Sequence, residues 1–102
     1  MERRKLTAEE LSERTADLNG WTVSTESDSD RGLTILKKQY KFENFAAALA
    51  YVNQVGVLAE AADHHPDITF GWGYAELELT THDRGGVTDV DIALALRIDA
   101  LS

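Results

Sequence analysis

The hydrophobic and polar positions of this chain repeat with two different periods, which predicts a mixture of helices and strands. Thr7-Ala8-Glu9-Glu10 has the form of a capping box, and apolar residues follow it at helical spacing as far as Asn19-Gly20, so we expect a first helix there. Residues 21–24 and 33–40 alternate as two strands. The polar, acidic segment 25–32 between them is typical of a solvated hairpin loop.

The second half of the chain predicts a long helix, two further strands and a last helix. The long helix covers about residues 43–62, where apolar residues recur at intervals of three and four positions. The stripe that we expect this helix to bury consists of Phe45, Leu49, Val52, Gly56 and Ala59. Residues 68–72 and 76–81 are the predicted third and fourth strands, and a turn at residues 83–86 follows them. Thr88 is a candidate cap for the last helix.

The order helix-strand-strand-helix-strand-strand-helix predicts an α+β fold, in which a four-stranded antiparallel sheet has three helices packed on one face. Residues 1–102 form a single domain in this interpretation. Lys37 and Lys38 indicate that the second strand lies at an edge or is half-exposed. The last helix, which opens at residues 88–91, is more apolar over residues 92–101 than one buried face requires, so we expect a second subunit to cover it. This helix and an edge of the sheet are the predicted interfaces of a homodimer or homotetramer.

Composition and charge narrow the possible functions. The chain of 102 residues has a net charge of −8 and no cysteine, so disulfides, thiolate nucleophiles and cysteine metal sites are excluded. The negative charge argues against a nucleic-acid partner, because phosphate binding needs clustered Lys and Arg. No apolar run approaches the roughly 20 residues of a membrane helix, and residues 1–5 lead into a charged helix and not an apolar signal region. We therefore expect a cytoplasmic protein that binds neither nucleic acid nor membranes.

The three histidines are the side chains best suited to chemistry. His64 and His65 precede Pro66 at the exit of the second helix, and His82 follows the fourth strand. Histidine titrates near neutral pH, so rings presented at the ends of elements can give or take protons there. Pro66 biases His65 away from helical geometry. Because no histidine lies within an apolar face, we do not expect any of them to be a core residue.

The residues alone leave three interpretations of these histidines open. They could be solvated surface residues, they could hold a metal ion, or they could transfer protons without one. Three imidazoles can bind zinc, but the usual helical spacing of ligands is absent and adjacent rings point in different directions. Two imidazoles in different protonation states can deliver and remove the protons of a dehydration, each contributing about 10²–10⁴-fold. The chain has no nucleophile elbow, Walker loop or dinucleotide fingerprint.

The histidine spacing resembles that of the pterin-4a-carbinolamine dehydratases. The pattern of that family is Glu, three residues, His-His-Pro, five residues, an aromatic residue, nine residues, His and then Asp. This chain matches it at Glu60, His64-His65-Pro66, Trp72, His82 and Asp91. Trp21, the run Tyr40-Lys41-Phe42-Glu43-Asn44-Phe45 and Thr81 beside His82 also resemble the family, so the similarity extends over nearly the whole chain.

The resemblance implies a specific activity. The family dehydrates 4a-hydroxytetrahydropterins to quinonoid dihydropterins and so regenerates the cofactor of aromatic amino-acid hydroxylases. It uses no metal or organic cofactor, and its subunits join through their sheets and helices. The resemblance implies that His64, His65 and His82 are the substrate-binding and acid–base residues. We expect His64 and His82 to transfer protons and His65 to hold the pterin.

The remaining motif residues have competing interpretations. Glu60, Asp63 and Asp91 could each orient a histidine through a charge-assisted hydrogen bond. Asp91 could equally be a first-turn helix acid, and Asp63 could simply end its helix. Trp72 could stack on the pterin or pack in the core, and packing is favoured because a Trp in a short strand usually packs. The site prediction also includes Pro66 and Thr81 as substrate-binding or orienting residues.

A second function stays open beside the dehydratase. The same motif could occur in a non-catalytic module that binds or scaffolds another protein. Trp21 is predicted to belong to the core in either case.

Overall fold

The computed structural model of this protein describes residues 4–26 and 32–101. In chain order, its elements are α1 (Ala8–Thr15), β1 (Thr22–Glu26), β2 (Leu33–Lys41), α2 (Phe45–Ala62), β3 (Asp67–Gly71), β4 (Tyr74–Leu79), a 3-10 turn (His82–Arg84) and α3 (Asp89–Asp99). All strand pairs are antiparallel and the strand order is β1-β2-β4-β3. The predicted α+β fold is confirmed. Part of the predicted hairpin loop, residues 27–31, lies outside the described residues.

Capping residues begin the helices where the sequence predicts them. The Thr7 hydroxyl accepts from the Glu10 N–H at 3.1 Å and the Glu10 carboxylate accepts from the Thr7 N–H at 2.9 Å, which is a complete capping box. A second box, between Thr88 and Asp91, begins α3. Helix α1 ends at Thr15, before the predicted stop at Asn19-Gly20, and a turn connects it to β1.

The sheet has one apolar and one polar face. Leu36 lies opposite Leu79 in the β2–β4 register and Leu77 lies opposite Ile68 in the β3–β4 register, so these side chains share the face that the helices cover. On the other face Lys37 forms an ion pair with Glu78. Strand β2 is an interior strand between β1 and β4, so the prediction of an edge was wrong and that of a half-exposed strand is confirmed.

Helix α2 buries a face that shares only Ala59 with the predicted stripe. Its buried residues are Ala48, Tyr51, Val55 and Ala59. Phe45 and Leu49 of the predicted stripe are instead 45% and 39% exposed. The helix is apolar on nearly all sides, so spacing alone does not mark its inner face. Tyr51 decides the face, because its ring packs against Tyr40 and Phe42 and its hydroxyl donates to the Ile98 carbonyl at 3.2 Å.

The apolar side chains of helix α3 are mostly buried within its own chain. Ile92, Leu94, Ala95 and Ile98 are all buried in the core, and Leu96 is the exposed large apolar residue of this helix. The surplus therefore does not require a second subunit as cover. The larger exposed apolar surface belongs to α2, which has a mean hydropathy of 1.3 and in which only 22% of the 18 residues are buried. By length and composition alone α2 could cross a membrane, but it is also a core helix of this fold.

Asp99 ties the C-terminal end of α3 to the sheet. Its carboxylate accepts hydrogen bonds from Trp21 Nε1 at 3.0 Å, Lys38 Nζ at 2.9 Å and the Tyr40 hydroxyl at 2.5 Å. Burial pushes the pKa of Asp99 up, but the three donors outweigh burial and hold the pKa below its usual range. Burial and the bond to Asp99 raise the pKa of Tyr40. The prediction that Trp21 belongs to the core is confirmed.

Replacing the carboxylate, Asp99→Asn, should lower the free energy of unfolding at neutral pH by about 1–3 kcal/mol, because hydrogen bonds to a charged acceptor become bonds to a neutral one. The folded-state pKa of Asp99 is lowered, so its contribution is complete above the ordinary value of 3.8 and is lost as the pH falls through the folded value. Urea unfolding between neutral pH and pH ~3 measures this. Equal acid sensitivity of the variant and the wild type would contradict the assignment.

Candidate active site

A left-handed residue ends α2 and places the two adjacent histidines. Asp63 has φ 50° and ψ 43°, a conformation in which non-glycine residues are uncommon. The His64 N–H then bonds back to the Ala59 carbonyl at 3.1 Å, while Pro66 leads directly into β3. This turn leaves His64 buried at 7% exposure and His65 exposed.

His64 forms a buried pair with Asp91. Its Nε2 lies 2.5 Å from Asp91 Oδ1, and the two side chains are 8% and 0% exposed. The residues are 27 positions apart, at the exit of α2 and in the first turn of α3. The expectation that no histidine is buried was wrong for His64. The reason is that its ring is inserted toward a carboxylate, a partner that the apolar pattern around it does not reveal.

Asp91 is the centre of a hydrogen-bond network. Its Oδ2 accepts from the Thr81 hydroxyl at 2.8 Å and from the Thr88 N–H at 2.9 Å. The Thr81 and Thr88 hydroxyls are also 3.0 Å apart. Every residue of this network, His64 included, is buried. Of the two interpretations of Asp91, the structure supports both, because the carboxylate caps α3 and also holds His64.

His65 has an acidic partner of a different kind. Its Nε2 bonds to Glu60 Oε2 on the last turn of α2, and the side chains are 55% and 78% exposed. Glu60 therefore orients a histidine, as one of its interpretations held. Because both groups are in water, the pair holds the His65 ring far less firmly than Asp91 holds His64.

His82 begins the 3-10 turn that follows β4, and its side chain is exposed. Its loop is fixed to β2 by Thr34, whose carbonyl accepts from the Thr80 hydroxyl at 2.7 Å and whose hydroxyl accepts from the Val87 N–H at 2.9 Å. A Cβ on Gly86 would lie 2.3 Å from Thr34 Oγ1, so the close approach requires glycine. The preceding residue, Thr81, donates to Asp91, so His82 directly follows a member of the hydrogen-bond network that holds His64.

The other predicted residues lie around this arrangement. Asp63 is exposed, and its side chain makes no hydrogen bond to another residue in the described part of the chain, so it acts here as the backbone end of α2. Pro66 is half-buried. Trp72 is 73% exposed in the turn between β3 and β4, so the favoured prediction that it packs in the core was wrong. The ring stands on the two-residue connection between the strands and not on a strand face that the helices cover.

The structure adds residues that sequence reasoning did not place in the site. Thr88 was predicted only as a helix cap, and Thr34 and Gly86 were not assigned to the site at all. Their contacts join residues that lie 7 to 53 positions apart, which single-sequence spacing does not reveal. Among residues 4–26 and 32–101, no group of three or more His, Asp or Glu side chains could hold a metal ion.

Chemically, this arrangement offers proton exchange at two kinds of ring. His64 is held in place by a buried carboxylate, and His82 is an exposed ring on a braced loop. Such a pair can give and take protons at a molecule bound beside it.

Comparison with known proteins gives consistent findings. A family model described as pterin 4 alpha carbinolamine dehydratase matches residues 4–101. A protein of Rubrobacter xylanophilus with the provisional name pterin-4-alpha-carbinolamine dehydratase is 43% identical over 96 residues, which cover 94% of this chain and 83% of that protein.

Two solved structures are similar as well. The crystal structure of a transcriptional coactivator/pterin dehydratase from Brucella melitensis superposes with a TM-score of 0.81 at 30% identity, covering 96% of this chain and 98% of the other. A pterin dehydratase-like protein identified as a RuBisCO assembly factor in the alpha-carboxysome gives a TM-score of 0.66 at 25% identity, with coverage of 81% and 89%.

The network predicts that replacing Asp91 destabilises the protein far more than replacing Asp89 in the same helical turn. Asp91→Ala leaves the buried donors of His64, Thr81 and Thr88 without their acceptor and should lower the free energy of unfolding by about 3–5 kcal/mol. Asp89→Ala is the matched control, because Asp89 makes a half-exposed ion pair with Arg14, and its loss should amount to less than about 1 kcal/mol. Urea denaturation monitored by Trp fluorescence measures both. Similar losses in the two variants would mean that the network contributes little.

Proposed function

The chain belongs to the pterin 4 alpha carbinolamine dehydratase family, and we propose that it is a hydro-lyase that dehydrates 4a-hydroxytetrahydropterins to quinonoid dihydropterins by histidine acid–base catalysis. The observation that carries the proposal is the buried His64–Asp91 pair, whose partner Thr81 directly precedes the exposed His82. Proton transfer needs one ring in a fixed orientation and a second group that can reach the opposite side of the reaction. We propose that His64 is the first of these groups and His82 the second.

The reaction requires two proton movements around one bond cleavage. The C4a–O bond breaks, and the hydroxyl leaves as water after it takes a proton from a general acid. N5 loses its proton to a general base, and its electron pair forms the C4a=N5 double bond. The total number of protons on the enzyme is unchanged, but the acid has lost one and the base has gained one, so a proton must pass from the base to the acid, directly or through solvent, before the next turnover. No redox step or organic cofactor enters this balance, and we propose that none is used.

The structure supports a division of roles among the three rings. His64 is held by Asp91 and is the ring best oriented for proton transfer. His82 is exposed and is proposed as its counterpart in the second transfer. His65, held only by the exposed Glu60, is proposed to bind the pterin. Trp72 lies in the β3–β4 turn, at the opposite end of these two strands from the three histidines, so we assign it no contact with a pterin bound beside them.

The family resemblance also supports a metabolic role for the reaction. A carbinolamine of this kind is formed when an aromatic amino-acid hydroxylase uses a tetrahydropterin, so we propose that the chain recycles that cofactor in the cytoplasm.

His82 gives the most direct test of catalysis. Its side chain is exposed and bonds to no other residue in the described part of the chain, so His82→Ala should leave the free energy of unfolding unchanged. The rate of carbinolamine loss should fall by about 10²–10⁴-fold, as expected for removal of a general acid or base. The assay uses a phenylalanine hydroxylase to generate the carbinolamine, and Asp83→Ala, in the same 3-10 turn, is the control.

His64 is tested with a substitution that keeps the network intact. His64→Gln retains an N–H donor for Asp91 but cannot exchange a proton near neutral pH. It should lose turnover to a similar extent while unfolding with close to wild-type stability. Full turnover in the His64→Gln/His82→Ala double variant would disprove acid–base catalysis by these rings.

One observation favours a second function, that of a protein-binding module. The pterin dehydratase-like neighbour is named as an assembly factor, and α2 of this chain carries exposed apolar residues at intervals of four or eight positions. Phe45, Leu49 and Val57 are 45%, 39% and 70% exposed. An apolar helix side of this kind is suited to pack against another helix. The first candidate partner is a second copy, in a homodimer or homotetramer that also uses a sheet edge.

This side of α2 is tested by Val57→Glu. Because Val57 is 70% exposed, the change should leave the stability of a single subunit within about 0.5 kcal/mol. It should yield a smaller species in size-exclusion chromatography with light scattering if α2 packs against a second copy. Wild-type protein that is monomeric at micromolar concentration would contradict the oligomer. Persistence of carbinolamine turnover in a dissociated variant would separate assembly from catalysis.

A further inference from the structure

We propose that the nitrogen of His64 that exchanges protons with the substrate is Nδ1, and that Thr81 and Thr88 act as positioning residues that fix this choice through Asp91. The inference rests on the proposed function and names which atom of the site performs it. It follows from the way in which the buried network uses each donor and acceptor.

Nε2 of His64 is already occupied. It lies 2.5 Å from Asp91 Oδ1, inside the protein, where the two side chains are 8% and 0% exposed. A carboxylate accepts hydrogen bonds and does not donate them, so the imidazole supplies the proton from Nε2. A substrate cannot reach a nitrogen that faces a fully buried carboxylate.

The carboxylate is held in this orientation by two further donors. Asp91 Oδ2 accepts from the Thr88 backbone N–H, which can only donate, and from the Thr81 hydroxyl. The Thr81 hydroxyl has one proton and gives it to Asp91, so in the 3.0 Å contact between the two hydroxyls Thr88 is the donor. Thr88 Oγ1 in turn accepts from the Val90 N–H as the cap of α3. The direction of every bond is therefore set by the start of the helix.

These bond directions leave Nδ1 as the exchanging nitrogen of His64. In the neutral ring the proton resides on Nε2, so Nδ1 carries the lone pair and is the base. In the protonated ring Nε2–H still faces Asp91, so Nδ1–H is the acid. The assignment thus holds for either direction of transfer. No other residue in the described part of the chain hydrogen-bonds to the His64 ring.

His65 provides the contrast within the same dipeptide. Its Nε2 also faces a carboxylate, that of Glu60, but both side chains are more than half exposed, and the Glu60 carboxylate makes no further hydrogen bond in the described part of the chain. The His65 ring can rotate or exchange its partner for water. A fixed tautomer is consequently expected of His64 and not of His65.

The first test reads the tautomer of the wild-type protein directly. Histidine labelled with ¹⁵N distinguishes protonated from unprotonated ring nitrogens by chemical shift and by two-bond couplings to the ring carbon protons. At a pH where the His64 ring is neutral, Nε2 should be protonated and Nδ1 unprotonated. The opposite tautomer would overturn the proposal without any variant having to fold.

The second test reverses the tautomer. In Asp91→Asn the amide oxygen must face the Thr88 N–H, so the NH₂ group turns toward His64 and makes Nε2 the acceptor. The neutral ring then carries its proton on Nδ1, and the rate of carbinolamine loss should fall by about 10²–10⁴-fold. A variant with the reversed tautomer and wild-type turnover would overturn the proposal.

A positioning role is separated from a merely structural one by two further variants. Asp99→Asn changes the other acid at the opposite end of α3 and should lower stability without altering the His64 tautomer or the pH–rate profile. Thr81→Val removes one donor to Asp91 and should shift the pH–rate profile, and Thr81→Ser should restore it. If Asp99→Asn changed the profile as much as Thr81→Val, the effect would be one of stability and the positioning role would be refuted.

Wild-type protein with the expected tautomer but no dehydratase activity would contradict the proposed function alone.

Discussion

The carboxylate of Asp91 is the group on which the rest of the site depends. It is fully buried, and it accepts from the Thr88 N–H at the start of α3, from Thr81 after β4 and from His64 after α2. A buried charge is stable only when its oxygens are satisfied, and here three separate elements satisfy them. One side chain thus caps a helix and fixes the relative position of the two segments that carry the predicted catalytic histidines.

Helix α3 is held at both of its ends by acids. Asp91 fixes the first turn to the histidine segments, and Asp99 fixes the last turn to Trp21, Lys38 and Tyr40. Between them, buried residues such as Leu94 and Ile98 pack in the core. The polar contacts that fix the position of α3 therefore lie at its two ends, and the apolar side chains that stabilise it lie between them. The histidine site is next to the first turn of the helix.

The sequence predicted those features that depend on local chemistry. The capping box of α1, the Thr88 cap of α3 and the strand alternation follow from neighbouring residues, and the structure confirms the elements that they imply. The buried side of α2 was mispredicted because a helix that is apolar all round has no periodic signal, and Tyr51 contacts in three dimensions decide the matter. The exposure of Trp72 and the burial of His64 likewise depend on what lies opposite them in space. Asp91 was named as a possible orienting acid, but only the fold shows that the histidine it contacts is His64.

The contacts that brace the His82 loop have a consequence for how the protein becomes active. Thr34 and Val87, which fix that loop, are 53 positions apart, and His64 and Asp91 are 27 apart. Pairings of such long sequence separation cost loop-closure entropy, so neighbouring residues cannot form them alone. Secondary structure by itself does not assemble the rings. Recovery of turnover after dilution from denaturant therefore reports formation of the tertiary contacts that bring these segments together.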